Sequence, residues 1–148
     1  MDSLIYMGAV IAIILSGVGV AIGEWWIAKT SIKNLGINPE LQGTITLMTV
    51  LGITLVESCA IYGLIIAFQI IGADNVTLAN SIWAGLVVGI PGMVVGLIEW
   101  WIARNAIDAL LRNPEAKNKI LISMILFITL IESCAIYGLI IAFQILGK

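Results

Sequence analysis

Histidine is absent from the chain, and cysteine occurs only at Cys59 and Cys134. That excludes the usual ligand sets of structural zinc and of haem, and it leaves no disulfide framework of the kind that holds small secreted folds. Both cysteines stand in the middle of apolar helices and read as small buried thiols. Charge is scarce as well. Seven Lys and Arg against nine Asp and Glu give a net charge of −2. With no basic tract and no stacking-aromatic pattern, a nucleic-acid partner has no electrostatic footing. No Gly-x-x-x-x-Gly-Lys-Ser/Thr pattern is present, so the chain offers no phosphate loop of its own. Proline is confined to Pro39, Pro91 and Pro114.

What the chain has is apolar length. Hydrophobic residues make up 61% of its 148 positions, beyond the share of about half that soluble domains carry. A first run extends from about Leu4 to Ile32, broken only by Glu24 and Lys29. As a helix it measures about 43 Å, enough for the bilayer core and both headgroup layers. Its N-terminal part has the apolar content of a secretory signal. However, Met1-Asp2-Ser3 is acidic and the run passes any plausible cleavage point, so the segment is read as mature structure. A second run covers about Thr44 to Ile71, a third Leu78 to Leu111 and a fourth Lys119 to Leu146. Between them lie the loops Lys33 to Glu40 and Arg112 to Lys117, and the turn Gly72 to Asn75, each carrying the Gly, Pro and Asn that stop helices. The expected fold is an all-α membrane protein of four transmembrane helices.

The chain is also a duplication. The stretch Leu55 to Ile70 returns as Leu130 to Ile145 with one substitution, Val56 against Ile131. Glu24 with Glu99, the pairs Trp25-Trp26 and Trp100-Trp101, and Pro39-Glu40 with Pro114-Glu115 keep the same 75-residue offset. Two hairpins follow, residues 1–73 and 74–148. Because two crossings restore the starting side, they are parallel copies, unlike the inverted repeats of many transporters. Parallel copies suit a closed ring built by head-to-tail contacts. Six of the seven basic residues (Lys29, Lys33, Arg104, Arg112, Lys117, Lys119) flank the two Asn-Pro-Glu loops. This predicts cytoplasmic loops, with both termini on the opposite side. Helices 1 and 3 hold most of the glycines, among them the small-xxx-small pairs Gly85/Gly89 and Gly92/Gly96. They are predicted to form a crowded inner layer, with the bulkier helices 2 and 4 outside it facing lipid.

Four glutamates lie inside these helices. Glu24 and Glu57 stand at equal sequence distance from the first loop, as do Glu99 and Glu132 from the second. Each pair therefore reaches equal depth on adjacent antiparallel helices, on the order of 20 Å from the cytoplasmic end. Two carboxylates facing each other in hydrocarbon cannot both stay ionised, so a proton or a cation must sit with them. Around the acids runs a polar stripe of Thr54, Glu57, Ser58, Tyr62 and Gln69, repeated as Thr129, Glu132, Ser133, Tyr137 and Gln144. Its oxygens suit a hard cation or a proton.

A glycine-rich first helix, the Asn-Pro-Glu loop and Glu-Ser-x-x-x-Tyr on the second helix, each present twice, resemble the rotor-ring proteolipid of rotary ATPases. This is the c or K subunit, here in the duplicated four-helix form typical of V-type enzymes, and the resemblance covers the whole chain. It implies a homo-oligomeric ring in the bilayer, a stator membrane subunit, and central-stalk subunits docked on Asn38, Pro39, Glu40, Asn113, Pro114 and Glu115. It also implies transport of Na+, or of H+ in its place, driven by ATP chemistry in partner subunits, with no organic cofactor and no catalysis in this chain. For sodium the implied ligands are Glu57 and Glu132, the hydroxyls of Ser58 and Ser133, and the carbonyls of Leu55 and Leu130, with Tyr62 and Tyr137 steadying the acids. The family's helix-1 Gln is replaced by Glu24 and Glu99. Cys59 and Cys134, the Trp pairs and Pro91 are further departures. A different class, a proton- or sodium-coupled four-helix exporter, also uses membrane glutamates. It calls for a substrate cavity and an inverted dimer, which a parallel duplication does not supply.

Overall fold

The computed structural model describes residues 2–147, and its regular structure is entirely helical. A short 3-10 segment, Asp2–Tyr6, leads into α1, Met7–Leu35, followed by the 3-10 turn Pro39–Leu41 and α2, Gln42–Ile71. After the 72–77 connection come α3, Leu78–Arg112, the 3-10 turn Pro114–Ala116 and α4, Lys117–Leu146. All four helices are long and apolar enough to cross a membrane. They match the four expected runs to within a few residues. The main difference is at the first loop, where α1 runs on to Leu35. There the Asn34 amide donates to the Thr30 carbonyl at 2.9 Å, and the Gly36 N–H closes the last turn on Ile32. Thr77 caps the start of α3 by accepting from the Asn80 N–H at 3.2 Å.

Packing follows the small residues. Lipid offers no hydrophobic drive for helices to associate, so contact depends on how closely backbones approach. A Cβ added to Gly19 would lie 2.5 Å from the Met93 carbonyl, and one on Gly23 would lie 2.7 Å from the Gly96 carbonyl. α1 and α3 thus meet backbone to backbone. α2 and α4 lie against this pair, and α3 touches each of the other three helices. They too use glycines at the seams: Gly52 packs on Ala103, Gly63 on Ser16, and Gly138 on Val87. Leu47, Val50, Phe68 and Ile140 are exposed, as suits a lipid-facing surface.

Pro91 lies inside α3 without ending it. A proline has no N–H for the carbonyl four residues back, here Val87. That carbonyl faces Gly138, whose missing side chain leaves it room. One repeat earlier, Pro91 corresponds to Ser16, whose hydroxyl donates to the Ala12 carbonyl at 2.7 Å opposite Gly63. Both hairpins therefore perturb the same turn of the odd helix and set a glycine of the even helix against it.

Candidate ion-binding site

The second-hairpin acids come from neighbouring helices at one level, Glu99 from α3 and Glu132 from α4, and lie within electrostatic reach of each other. Glu24 and Glu57 stand in the same relation on α1 and α2. Their surroundings differ. Glu99 is 0% exposed, and neither of its carboxylate oxygens finds a hydrogen-bond partner among the described residues. Glu57, by contrast, is exposed.

The hydroxyls are shared out in a way the resemblance does not imply. Ser58 Oγ donates to Glu132 Oε1 at 2.5 Å, and Tyr62 OH donates to the same oxygen at 2.5 Å. Neither is paired with Glu57, the acid of its own helix. The candidate site spans the two hairpins, with α2 giving Ser58, Tyr62 and the Leu55 carbonyl, α3 giving Glu99, and α4 giving Glu132. Ser58 Oγ also lies 2.7 Å from the Leu55 carbonyl. One hydroxyl proton serves one acceptor at a time, so the serine oxygen is a hinge between a backbone dipole and a carboxylate. The buried thiol of Cys59 borders this cluster, within reach of both Glu99 and Glu132.

The matching half-set on α4 has no carboxylate opposite it among the described residues. Ser133 donates to the Leu130 carbonyl at 2.7 Å, and Tyr137 is 61% exposed. Cys134, expected to be buried like Cys59, is exposed, because the face of α4 that carries it meets no neighbour in a single chain. The polar stripe breaks up in the same way: Thr54 and Thr129 bond carbonyls of their own helices, and Gln69 and Gln144 are exposed. At the loop end, Asn38, Pro39 and Glu40 share a pocket with Pro114, so the two Asn-Pro-Glu turns lie side by side.

Directly after Glu24 and Glu99 the tryptophans close the α1–α3 seam. Trp26 and Trp100 stack at 5.4 Å between ring centroids with an 18° interplanar angle, and the Lys29 ammonium sits 4.7 Å from Trp26.

Chemically, the in-chain cluster gathers oxygen from two carboxylates, two hydroxyls and a carbonyl in a space lined by helices. A buried carboxylate without a donor is costly. Both Glu99 oxygens can take a proton or a cation, and the neighbouring oxygens suit a hard monovalent ion or a proton.

The sequence model of the ATP synthase C-subunit family matches the chain twice, over residues 7–70 and 82–145. Over 71 residues the chain is 39% identical to the c-subunit of the chloroplastic ATP synthase of Cyanidioschyzon merolae, covering 48% of this chain and 88% of that protein. The corresponding protein of Cyanidium caldarium is 38% identical over 71 residues, or 48% of this chain and 87% of the relative. The ATP synthase c-subunit of Ureaplasma parvum is 40% identical over 75 residues, or 51% and 68%.

Proposed function

The chain belongs to the ATP synthase C-subunit family and is an ion-translocating rotor component of the membrane; from that premise we propose that it is the duplicated proteolipid of a V-type rotary ATPase, whose ring carries sodium ions. The observation that carries this reading is Glu99, fully buried with both oxygens unpartnered, beside a Glu132 that already receives two hydroxyl donors.

The charge balance gives the mechanism. A loaded site must be close to neutral to pass along lipid, since one net charge there costs several kcal/mol. Two carboxylates therefore call for a proton and a sodium ion, or for two protons. Glu132 already receives two hydroxyl donors whereas Glu99 has no partner, so the retained proton is placed on Glu99. Protonated Glu99 still presents a carbonyl oxygen, as a glutamine does, and joins Glu132, Ser58 and the Leu55 carbonyl around the ion. A site that carried protons alone has no use for a serine held between a carbonyl and a carboxylate. The Glu24 and Glu57 pair serves a second ion in the same manner.

The wider assembly follows from the family reading. Copies close into a ring, a stator membrane subunit exchanges ions with the acids as they pass, and the adjacent Asn-Pro-Glu turns dock the central stalk in the cytoplasm. The termini lie on the opposite side. ATP is hydrolysed or made by partner subunits.

The test is labelling of the assembled protein with a carbodiimide, which attacks protonated carboxyl groups. Millimolar sodium is expected to protect Glu57 and Glu132. Absence of protection at every pH makes the ring a proton rotor instead.

A further inference from the structure

The faces by which the two hairpins of one chain meet are rich in glycine, whereas most of the counterpart positions one repeat away carry larger side chains. α1 presents Gly8, Gly19 and Gly23 to α3. Their counterparts 75 residues later on α3 are Trp83, Val94 and Ile98, all exposed. In return α3 presents Ser81, Gly85 and Gly96 to α1. Their counterparts on α1 are Tyr6, Val10 and Ala21, again exposed. The outer layer repeats the pattern: Gly52 packs on Ala103 within the chain, and Gly52 corresponds to the exposed Phe127.

A duplicated chain that closes a ring reuses between copies the seam it uses within one, because head-to-tail contacts are heterologous. α3 and α4 of one copy then face α1 and α2 of the next, and the exposed face of the second hairpin is covered by a second copy of this chain. The polar groups agree with this. Half-buried Ser133 and exposed Tyr137 on one side and exposed Glu57 on the other are the repeat counterparts of Ser58, Tyr62 and Glu132, which are bonded within the chain.

The two seams cannot be equally close. Within the chain, backbones approach so near at Gly19 and Gly23 that even a methyl group has no room. Between copies the counterpart contacts are Val94 against Val18 and Ile98 against Ala21, where side chains hold the backbones apart. We propose that the ring alternates narrow and wide seams, so that each chain contributes two inequivalent ion sites. One is a tight site within the chain at Glu132, and the other is a wider, more accessible site between copies at Glu57. This rests on the rotor-ring reading. The wider seam lengthens the reach from Ser133 and Tyr137 to Glu57, so that site binds sodium more weakly and admits water and reagents more readily.

Two measurements test this separately. With Cys59 and Cys134 replaced by alanine, the pair Ala21→Cys with Ile98→Cys is expected to give an oxidation-dependent ladder of linked chains. The wide seam should bring those Cα atoms into the span of about 4.4–6.8 Å that a disulfide bridges. An intact oligomer without a ladder overturns this seam, and absence of any oligomer by native mass spectrometry overturns the ring reading itself. In the unsubstituted ring, carbodiimide labelling is read at Glu57 and Glu132 separately by peptide mass spectrometry. Glu57 is expected to react several-fold faster and to need several-fold more sodium for protection. Equal rates and equal protection, or faster reaction at Glu132, in a protein whose cysteine variant gives the ladder, overturn the inequivalence and leave the ring standing.

Discussion

Ser58 on α2 donates to Glu132 on α4 at 2.5 Å, across 74 residues of sequence and from one hairpin to the other. Tyr62 reaches the same oxygen. In the proposed site the unit of ion binding is therefore a junction between hairpins and not a single hairpin. A substitution on one repeat should be felt at the acid of the other.

Tyr62→Phe removes a donor from Glu132 and leaves the aromatic packing in place. Hydrogen bonds to charged groups contribute about 1.5–3 kcal/mol, so the sodium concentration that protects Glu132 from carbodiimide should rise by about tenfold or more. Protection of Glu57 should stay unchanged. Tyr137→Phe should give the reverse pattern, weakening Glu57 and sparing Glu132. If Tyr62→Phe instead weakened protection of Glu57, the pairing across hairpins would be wrong.

Gly17 and Gly19 separate the two inner seams within one turn of α1. A Cβ on Gly19 runs into the Met93 carbonyl, whereas one on Gly17 meets nothing within 4 Å. Gly19→Ala should therefore destabilise the isolated chain by about 1–3 kcal/mol through overpacking, seen as earlier thermal unfolding in detergent by circular dichroism. Gly17→Leu should leave that transition in place and lower the yield of the assembled oligomer. Equal unfolding temperatures for Gly19→Ala and the parent chain would rule out the backbone contact at this point.

The stacked Trp26 and Trp100 clasp the same inner seam. An aromatic pair is worth about 0.5–1.5 kcal/mol beyond the area it buries. A double-mutant cycle of Trp26→Ala and Trp100→Ala, followed by chemical unfolding in detergent, should return a coupling of that size. Strict additivity would mean that the rings touch without stabilising the seam.

Much of this fold is legible in the residues alone. Hydropathy and helix stoppers mark four helices, and the glycines of helices 1 and 3 mark the layer where backbones touch, because lipid leaves close packing as the main attraction. The depth of Glu24, Glu57, Glu99 and Glu132 follows from counting out from each loop. What the pattern cannot supply is the identity of the neighbour. A helical period gives the face on which Ser58 and Tyr62 lie, but the same face serves equally for Glu57 or Glu132 until the hairpins are docked. The exposure of Cys134 is hidden for the same reason. The repeat itself holds the clue, since hairpins stacked side by side must complete one another's sites. Pro91 is equally opaque: only the position of Gly138 shows how the helix continues past it.

In the proposed mechanism Glu99 serves both ion binding and charge balance, and pH separates the two. In the proposed cycle the loaded site holds Glu132 as a carboxylate, one sodium ion and a proton on Glu99, for no net charge. As pH rises the proton leaves Glu99. The site still binds sodium, and more strongly, because both carboxylates now attract it. The loaded site then carries a net negative charge that costs several kcal/mol to move along lipid. Binding and transport should diverge, with sodium protection of Glu132 improving toward alkaline pH while ATP-driven sodium uptake by reconstituted vesicles declines. Glu99→Gln together with Glu24→Gln removes the titrating group but keeps a carbonyl oxygen for the ion. That double variant should retain sodium protection and lose the alkaline decline in uptake, while acid inhibition persists because protons still compete at Glu132 and Glu57. If the variant declined at alkaline pH as the parent does, the retained proton would not reside on Glu99 or Glu24.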